Sequence, residues 1–112
     1  MSCDDGIFTW LKEKEILYWG DIDVQGFEML SAIRATFNQT EAVLMDKAVY
    51  NAFITQHTTG PKSNITQLNY LNKEEEDFYH YLRDLTKNNR LEQERIPNWY
   101  VIKQLSEILD RS

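Results

Sequence analysis

A short apolar run followed by a turn and a helix constrains the fold of this chain more than any other feature. Residues Ile16–Trp19 are continuously apolar and are followed by the polar segment 20–26. Such a run, bounded by turn residues, is typical of a strand buried on both faces. Apolar residues then recur at helical spacing over Phe27–Phe37, and a second apolar run, Glu41–Met45, precedes a short predicted helix at Lys47–Ile54. This alternation predicts an α/β fold, with helices on both sides of a small, mainly parallel sheet of about three strands.

The remaining segments are predicted from the same periodicities. Residues 6–15 carry apolar side chains at helical spacing and predict a helix, and the polar segment 55–69 predicts a long loop. Asn72, with Glu75 three residues further on, predicts a capped helix start. Arg90–Ile96 alternates like a strand. Pro97 suits the first position of a closing helix, which is expected to bury Val101, Ile102, Leu105, Ile108 and Leu109.

Composition narrows the class of protein. A chain of 112 residues has room for one small domain, and its single cysteine, Cys3, excludes a disulfide within the chain. The sequence contains neither a secretory signal nor an apolar stretch of the roughly 18 residues that cross a bilayer, so we expect a cytoplasmic protein without membrane contact.

The formal net charge is −6, whereas free-standing nucleic-acid binders are usually basic. Contact with DNA would therefore require metal ions, a local patch or another part of a larger protein.

Asp21 and Asp23 are the strongest candidates for a functional site. They follow the predicted strand one residue apart, so both carboxylates point the same way if the chain stays extended. Open α/β sheets bind ligands at the carboxyl ends of parallel strands, and paired carboxylates there suit Mg²⁺, which takes oxygen ligands. Gly20 and Gly26 flank the pair and allow a close approach of the backbone. The alternative interpretation is structural: Asp21 caps a turn, and Asp23 caps the helix that begins near Phe27.

Three ordered blocks of the sequence resemble one protein family. They are Tyr18–Phe27, Leu44–Asp46 and Arg90–Pro97, and together they resemble the C-terminal domain of the Wadjet JetD proteins. The resemblance implies a Toprim-like, Rossmann-like three-layer fold, related to the A subunit of type IIB topoisomerases. It also implies a metal-dependent DNA nuclease of a plasmid-defence complex, acting beside an SMC-type motor. Asp21 and Asp23 are similar to the Toprim Asp-x-Asp pair that binds Mg²⁺ (or Mn²⁺), and this makes them the expected catalytic residues.

The sequence departs from the Toprim pattern at one point. A Toprim site also has a glutamate at the end of an earlier strand, and no acidic residue before Leu17 follows an apolar strand. We therefore expect residues 1–112 to be one domain, the C-terminal portion of an N-terminally truncated Toprim-like domain, inactive alone and reaching DNA only within the full-length protein. The sheet edge beside Ile16–Trp19 would then expose Tyr18 and Trp19, which favours a homodimer, unless an N-terminal helix covers that edge.

Other functions remain open at this stage. The main alternative is a non-catalytic module that docks onto other subunits of a defence complex. A third is an unrelated Asp-x-Asp phosphatase, which predicts turnover of small phosphate esters.

Glu92 is the second candidate metal ligand. In a strand, Glu92 and Glu94 would share a face, and the resemblance places their block beside the same sheet. The alternative is that these carboxylates pair with Arg90 and Arg95 at the surface. Asp46 is interpreted as a helix cap rather than a ligand.

Overall fold

The computed structural model describes residues 7–10 and 15–110. Two 3₁₀ turns, Ile54–Gln56 and Gln93–Arg95, accompany the longer elements. In chain order, those elements are β1 (Ile7–Trp10), β2 (Glu15–Tyr18), α1 (Val24–Thr36), β3 (Thr40–Ala42), α2 (Lys47–Ala52), α3 (Lys73–Asp84) and α4 (Asn98–Asp110).

The three strands form one sheet in the order β1-β2-β3. β2 and β3 are parallel, with Ile16 opposite Thr40 and Tyr18 opposite Ala42, whereas β1 and β2 are antiparallel. The predicted α/β class is confirmed. Ile16 and Tyr18 are both buried, as is Leu17 between them, so the prediction of a strand buried on both faces is confirmed as well.

The helix predicted over residues 6–15 is wrong where the structure describes it. Residues 7–10 form β1, which pairs with β2 from Ile7 opposite Tyr18 to Trp10 opposite Glu15. Residues 6 and 11–14 lie outside the described part of the chain. A short segment rich in aromatic and β-branched residues suits a strand once a partner strand offers its backbone groups, and periodicity alone does not detect that partner.

The expected exposure of Tyr18 is also wrong. β1 pairs with the side of β2 that was predicted to lack a neighbour, and Tyr18 is only 3% exposed. Trp19 is half-buried and packs against the core. The covering element is a strand, not the helix that was considered as an alternative.

The predicted strand Arg90–Ile96 is wrong. Arg90 and Leu91 each form a single antiparallel bridge, with Thr58 and Ile22 respectively, and the chain then turns into the 3₁₀ segment at Gln93–Arg95. The two residues pair with different segments, so no continuous ladder forms.

The closing helix α4 buries less than predicted. Val101 is buried, and Leu105, one turn later, packs against the core. Ile102 and Leu109 are 64% and 44% exposed, which contradicts the prediction. Helix α4 presents one narrow row of side chains to the domain, and Ile102 and Leu109 lie off that row. None of the helices in the described ranges is apolar over a length that could traverse a bilayer.

The predicted helix caps are confirmed. Asp46 accepts a hydrogen bond from the Val49 amide at the start of α2. Asn72 and Glu75 form a reciprocal capping box at the start of α3.

Candidate functional site

The Asp-x-Asp segment lies at the carboxyl end of β2, where the chain passes into α1. Ile22, between the two aspartates, is completely buried and exchanges two backbone hydrogen bonds of 2.9 Å with Leu91. This bridge fixes Asp21 and Asp23 against the segment that contains Arg90 and Glu92. Both carboxylates reach the same side chain, Arg90, as the one-residue spacing predicts.

Arg90 lies among three carboxylates. Its Nη2 is 2.8 Å from Asp21 Oδ2 and donates a hydrogen bond to it. The Arg90 Nε atom is 3.1 Å from Asp23 Oδ2, but this buried N–H has no hydrogen-bond partner in the part of the chain that the structure describes. Glu92 Oε2 is 3.9 Å from Arg90 Nη2. A single guanidinium therefore faces three acidic groups, and the cluster as a whole keeps a net negative charge.

Asp23 also caps α1, so its structural interpretation is confirmed. Its Oδ1 accepts a hydrogen bond of 2.7 Å from the Gly26 amide, and its backbone is extended, as in a typical N-cap. The other oxygen, Oδ2, faces Arg90. Capping and cation contact thus use different oxygen atoms of one carboxylate.

Asp21 does not cap a local turn through its side chain. Its Oδ1 accepts a hydrogen bond of 2.8 Å from the backbone amide of Gln93, 72 residues away in the sequence. Its Oδ2 accepts from Arg90. The contact with Gln93 places the Asp21 carboxylate beside the 3₁₀ turn.

Glu92 and Glu94 lie in different environments, the first partly buried and the second exposed. Glu92 precedes the 3₁₀ turn, with its side chain 25% exposed and directed toward Arg90, which agrees with the pairing alternative. Glu94 lies in the turn and is exposed. Within residues 16–110, no three His, Cys, Asp or Glu side chains are grouped closely enough to hold a metal ion. A role for Glu92 as a third metal ligand stays a prediction.

The electrostatics of Asp23 reflect its burial. Its side chain is 4% exposed, and burial raises the pKa of this carboxyl above 3.8, while the Gly26 amide and Arg90 oppose that rise. Asp21 and Glu28 add to it through charge repulsion. The hydrogen bond to Asp21 raises the pKa of Arg90. Ionisation of Asp23 therefore costs folding free energy.

This cost predicts a pH-dependent effect of Asp23→Asn. A raised folded-state pKa means that the folded protein binds the Asp23 proton more tightly than the unfolded chain, so stability is lost as the pH rises through the folded pKa. Asparagine caps helices as well as aspartate and does not ionise. The stability of Asp23→Asn relative to wild type should therefore increase between a pH below 3.8 and neutral pH, measured by urea unfolding.

Asp46→Asn provides the control for this prediction, because Asp46 is an exposed cap of the same kind. A stability difference between Asp23→Asn and wild type that stays constant or shrinks with rising pH would contradict the assigned cause.

Sequence reasoning missed Arg90 as the centre of the cluster. The strand predicted for its segment suggests only that Arg90 pairs with glutamates at the surface. The Arg90 backbone exchanges hydrogen bonds of 2.8 and 3.0 Å with Thr58. Gly60 lies against its side chain, so that a Cβ there would come within 2.9 Å of Arg90 Cδ. The signal available in the sequence was that Arg90 and Glu92 lie two residues apart. That spacing is compatible with several structures.

A separate cavity of about 380 Å³ lies between β3, α2 and α3. Phe27, Met45 and Phe78 form its apolar part, and Glu74 and Asp77 lie at its rim. None of the residues around Arg90 lines it, so the cavity and the carboxylate cluster are distinct features.

Comparison with known proteins identifies one family. The family model described as "Wadjet protein JetD, C-terminal" matches residues 2–105, nearly the whole chain, and confirms the resemblance seen in the three sequence blocks. A comparison with curated proteins finds no match to the chain.

Proposed function

Because the chain belongs to the JetD C-terminal family of the Wadjet defence system, we propose that it carries the Asp-x-Asp metal site of a Mg²⁺-dependent, Toprim-type DNA endonuclease. Asp21 and Asp23 would hold the ion, and Glu92, whose Oε2 lies 3.9 Å from Nη2 of Arg90, is the further candidate ligand. The defence complex is the proposed setting for contact with DNA and with SMC-type subunits.

The observation that carries this proposal is the convergence of Asp21 and Asp23 on one cation. Their Oδ2 atoms lie 2.8 Å and 3.1 Å from nitrogen atoms of the same guanidinium. The two carboxylates are therefore already oriented to share a positive group, and carboxylate oxygens are the donors that Mg²⁺ and Mn²⁺ prefer. Arg90 acts as the stand-in cation, so the donor set fits the metal chemically.

The backbone hydrogen bonds to the two carboxylates favour a preorganised site. Asp23 is fixed by the amide of Gly26 and Asp21 by the amide of Gln93. Both amides bind the Oδ1 atoms, so the Oδ2 atoms keep their orientation toward the shared cation position. Rigid support of ligands in this way lowers the ordering cost of binding.

A metal ion at this position would also compensate for the charge of the chain. The net charge of −6 repels DNA phosphates. When bound, Mg²⁺ supplies charge neutralisation at a scissile phosphate and orientation of the attacking and leaving oxygens. The residues of this chain contribute the negative charge and geometry that hold the ion at the end of the sheet.

An NMR titration with Mn²⁺ tests the site. Paramagnetic broadening should begin at the backbone amides of residues 20–26, because they surround Asp21 and Asp23. Asp21→Asn, which keeps an oxygen acceptor for the Gln93 amide but removes the charge, should weaken Mn²⁺ binding about tenfold or more, since affinity follows ligand charge.

Asp77→Asn is the matched control, because it removes the same charge from an exposed position on α3. Broadening that begins at residues 74–77 would show that Mn²⁺ merely collects at the acidic start of α3, and would refute the site. Fluorescence anisotropy with a labelled DNA duplex and Ca²⁺ separates the metal site from DNA contact. The chain by itself should not bind the duplex with or without Ca²⁺, because contact with DNA is proposed only within the defence complex and the net charge is −6. Ca²⁺-dependent binding that Asp21→Asn abolishes would contradict this part of the proposal.

A further inference from the structure

We propose that Arg90 is the resident cation of the Asp21–Asp23 site and that a divalent metal ion binds by displacing its guanidinium. This inference rests on the proposed function, because it concerns the same two carboxylates. It assigns Arg90 as a positioning residue that sets the metal affinity of the site.

The head group of Arg90 and a metal ion would need the same oxygen atoms. Asp21 Oδ2 and Asp23 Oδ2 both face the guanidinium, while their Oδ1 atoms are engaged by the amides of Gln93 and Gly26. An ion that binds both Oδ2 atoms would lie where the Arg90 nitrogens now lie. Two positive groups in that space would repel each other strongly, so binding is competitive.

The guanidinium of Arg90 is held by few directed contacts. Among residues 16–110, its side chain makes one hydrogen bond, to Asp21, and its buried Nε–H has no aligned acceptor there although Asp23 is close. Its contact with Glu92 is 3.9 Å long. The contacts with Asp23 and Glu92 are attractive by charge but poor in geometry, so only the Asp21 contact is a directed hydrogen bond. Bidentate alignment is what makes an arginine–carboxylate pair strong.

Arg34 provides the contrast within the same chain. It binds both oxygens of Glu75 and donates to the carbonyl oxygens of Thr40 and Tyr70. Arg34 has the geometry of a structural ion pair, whereas Arg90 has that of a group whose place another cation can take.

The surroundings of Arg90 allow its head group to leave without disturbing the fold. Its backbone is fixed to Thr58 by two hydrogen bonds, so the bridge does not depend on the side chain. The side chain is 30% exposed, so a displaced guanidinium reaches water directly and keeps its hydration.

The experiment compares Mn²⁺ affinity, by isothermal titration calorimetry, for wild type, Arg90→Gln and Arg95→Gln. Arg95 is exposed in the same segment and has the same charge, so its replacement controls for net charge. Arg90→Gln should bind Mn²⁺ about tenfold more tightly than wild type, because the competing cation is gone. Arg95→Gln should bind as wild type does. Equal affinities for wild type and Arg90→Gln would overturn the inference.

A second measurement needs no substitution and covers the case in which Arg90→Gln does not fold. In a Mg²⁺ titration of the wild-type chain, the Arg90 Nε–H resonance should shift together with the amides of residues 20–26. Shifts of those amides with an unchanged Arg90 resonance would refute displacement and leave the proposed metal site intact. No response at residues 20–26 in any variant would instead refute the metal site itself, and the inference with it.

Discussion

Replacing Gly26 with alanine is expected to destabilise the domain by about 3 kcal/mol, the upper end of the usual cost of overpacking. A Cβ at Gly26 would lie far inside 3.0 Å of the Asp21 carbonyl oxygen and 3.3 Å from Asp23 Oδ1. The first contact is with backbone, which cannot rotate away as a side chain can. The first turn of α1 and the Asp-x-Asp loop would have to separate, so urea unfolding should show a lower midpoint, and Mn²⁺ binding should weaken in parallel.

Gln25→Ala is the matched control for this substitution. Gln25 is exposed in the same helical turn, and its replacement should change stability by less than about 0.5 kcal/mol. If Gly26→Ala is as mild as Gln25→Ala, the close packing of α1 on the Asp21 carbonyl does not constrain the domain.

Replacing Arg34 with alanine is expected to cost about 3 kcal/mol, the lower end of the range for breaking a buried ion pair. The Arg34 and Glu75 side chains are only 13% and 16% exposed. Arg34 also donates to the carbonyl oxygens of Thr40 and Tyr70, so it joins α1, β3 and the start of α3. Its loss leaves a partly buried carboxylate without its cation and removes the hydrogen bonds that Arg34 donates to two carbonyl groups.

Lys73→Ala gives the comparison, because the Lys73–Asp77 pair is 84% and 63% exposed. An exposed pair of this kind should contribute at most about 0.5 kcal/mol. Glu75→Gln keeps the side-chain acceptor for the Asn72 amide and removes only the charge, so its cost should fall between the two. Urea unfolding measures all three variants, and an Arg34→Ala effect as small as that of Lys73→Ala would contradict the structural role of the pair.

The local signals in the sequence were reliable where neighbours along the chain decide the structure. The apolar run at Ile16–Trp19 became a buried strand, and the helices that follow it lie close to their predicted positions. Asp46 and Asn72 cap their helices as predicted. A capping contact joins residues three apart, so its partners are both visible in a short window of sequence.

The sequence by itself also determined the most important element of the candidate site. A strand, an Asp-x-Asp turn and a helix follow one another within residues 15–36, and that order alone places two carboxylates at the end of a sheet. The three sequence blocks were sufficient to indicate the family, which the family model confirms over residues 2–105.

Only the tertiary structure decided what faces those carboxylates. Arg90 lies 69 residues from Asp21, and it reaches the site because Leu91 bridges to Ile22 and Arg90 to Thr58. Pairing between strands also replaced the helix predicted over residues 6–15, because residues 7–10 pair with β2, the next strand in the chain. A strand or bridge gains its hydrogen bonds from another segment, which can be near or far in the sequence, whereas a helix gains them from its own next turn. Periodicity in the sequence therefore determines helices, whereas only the folded chain determines strands and bridges.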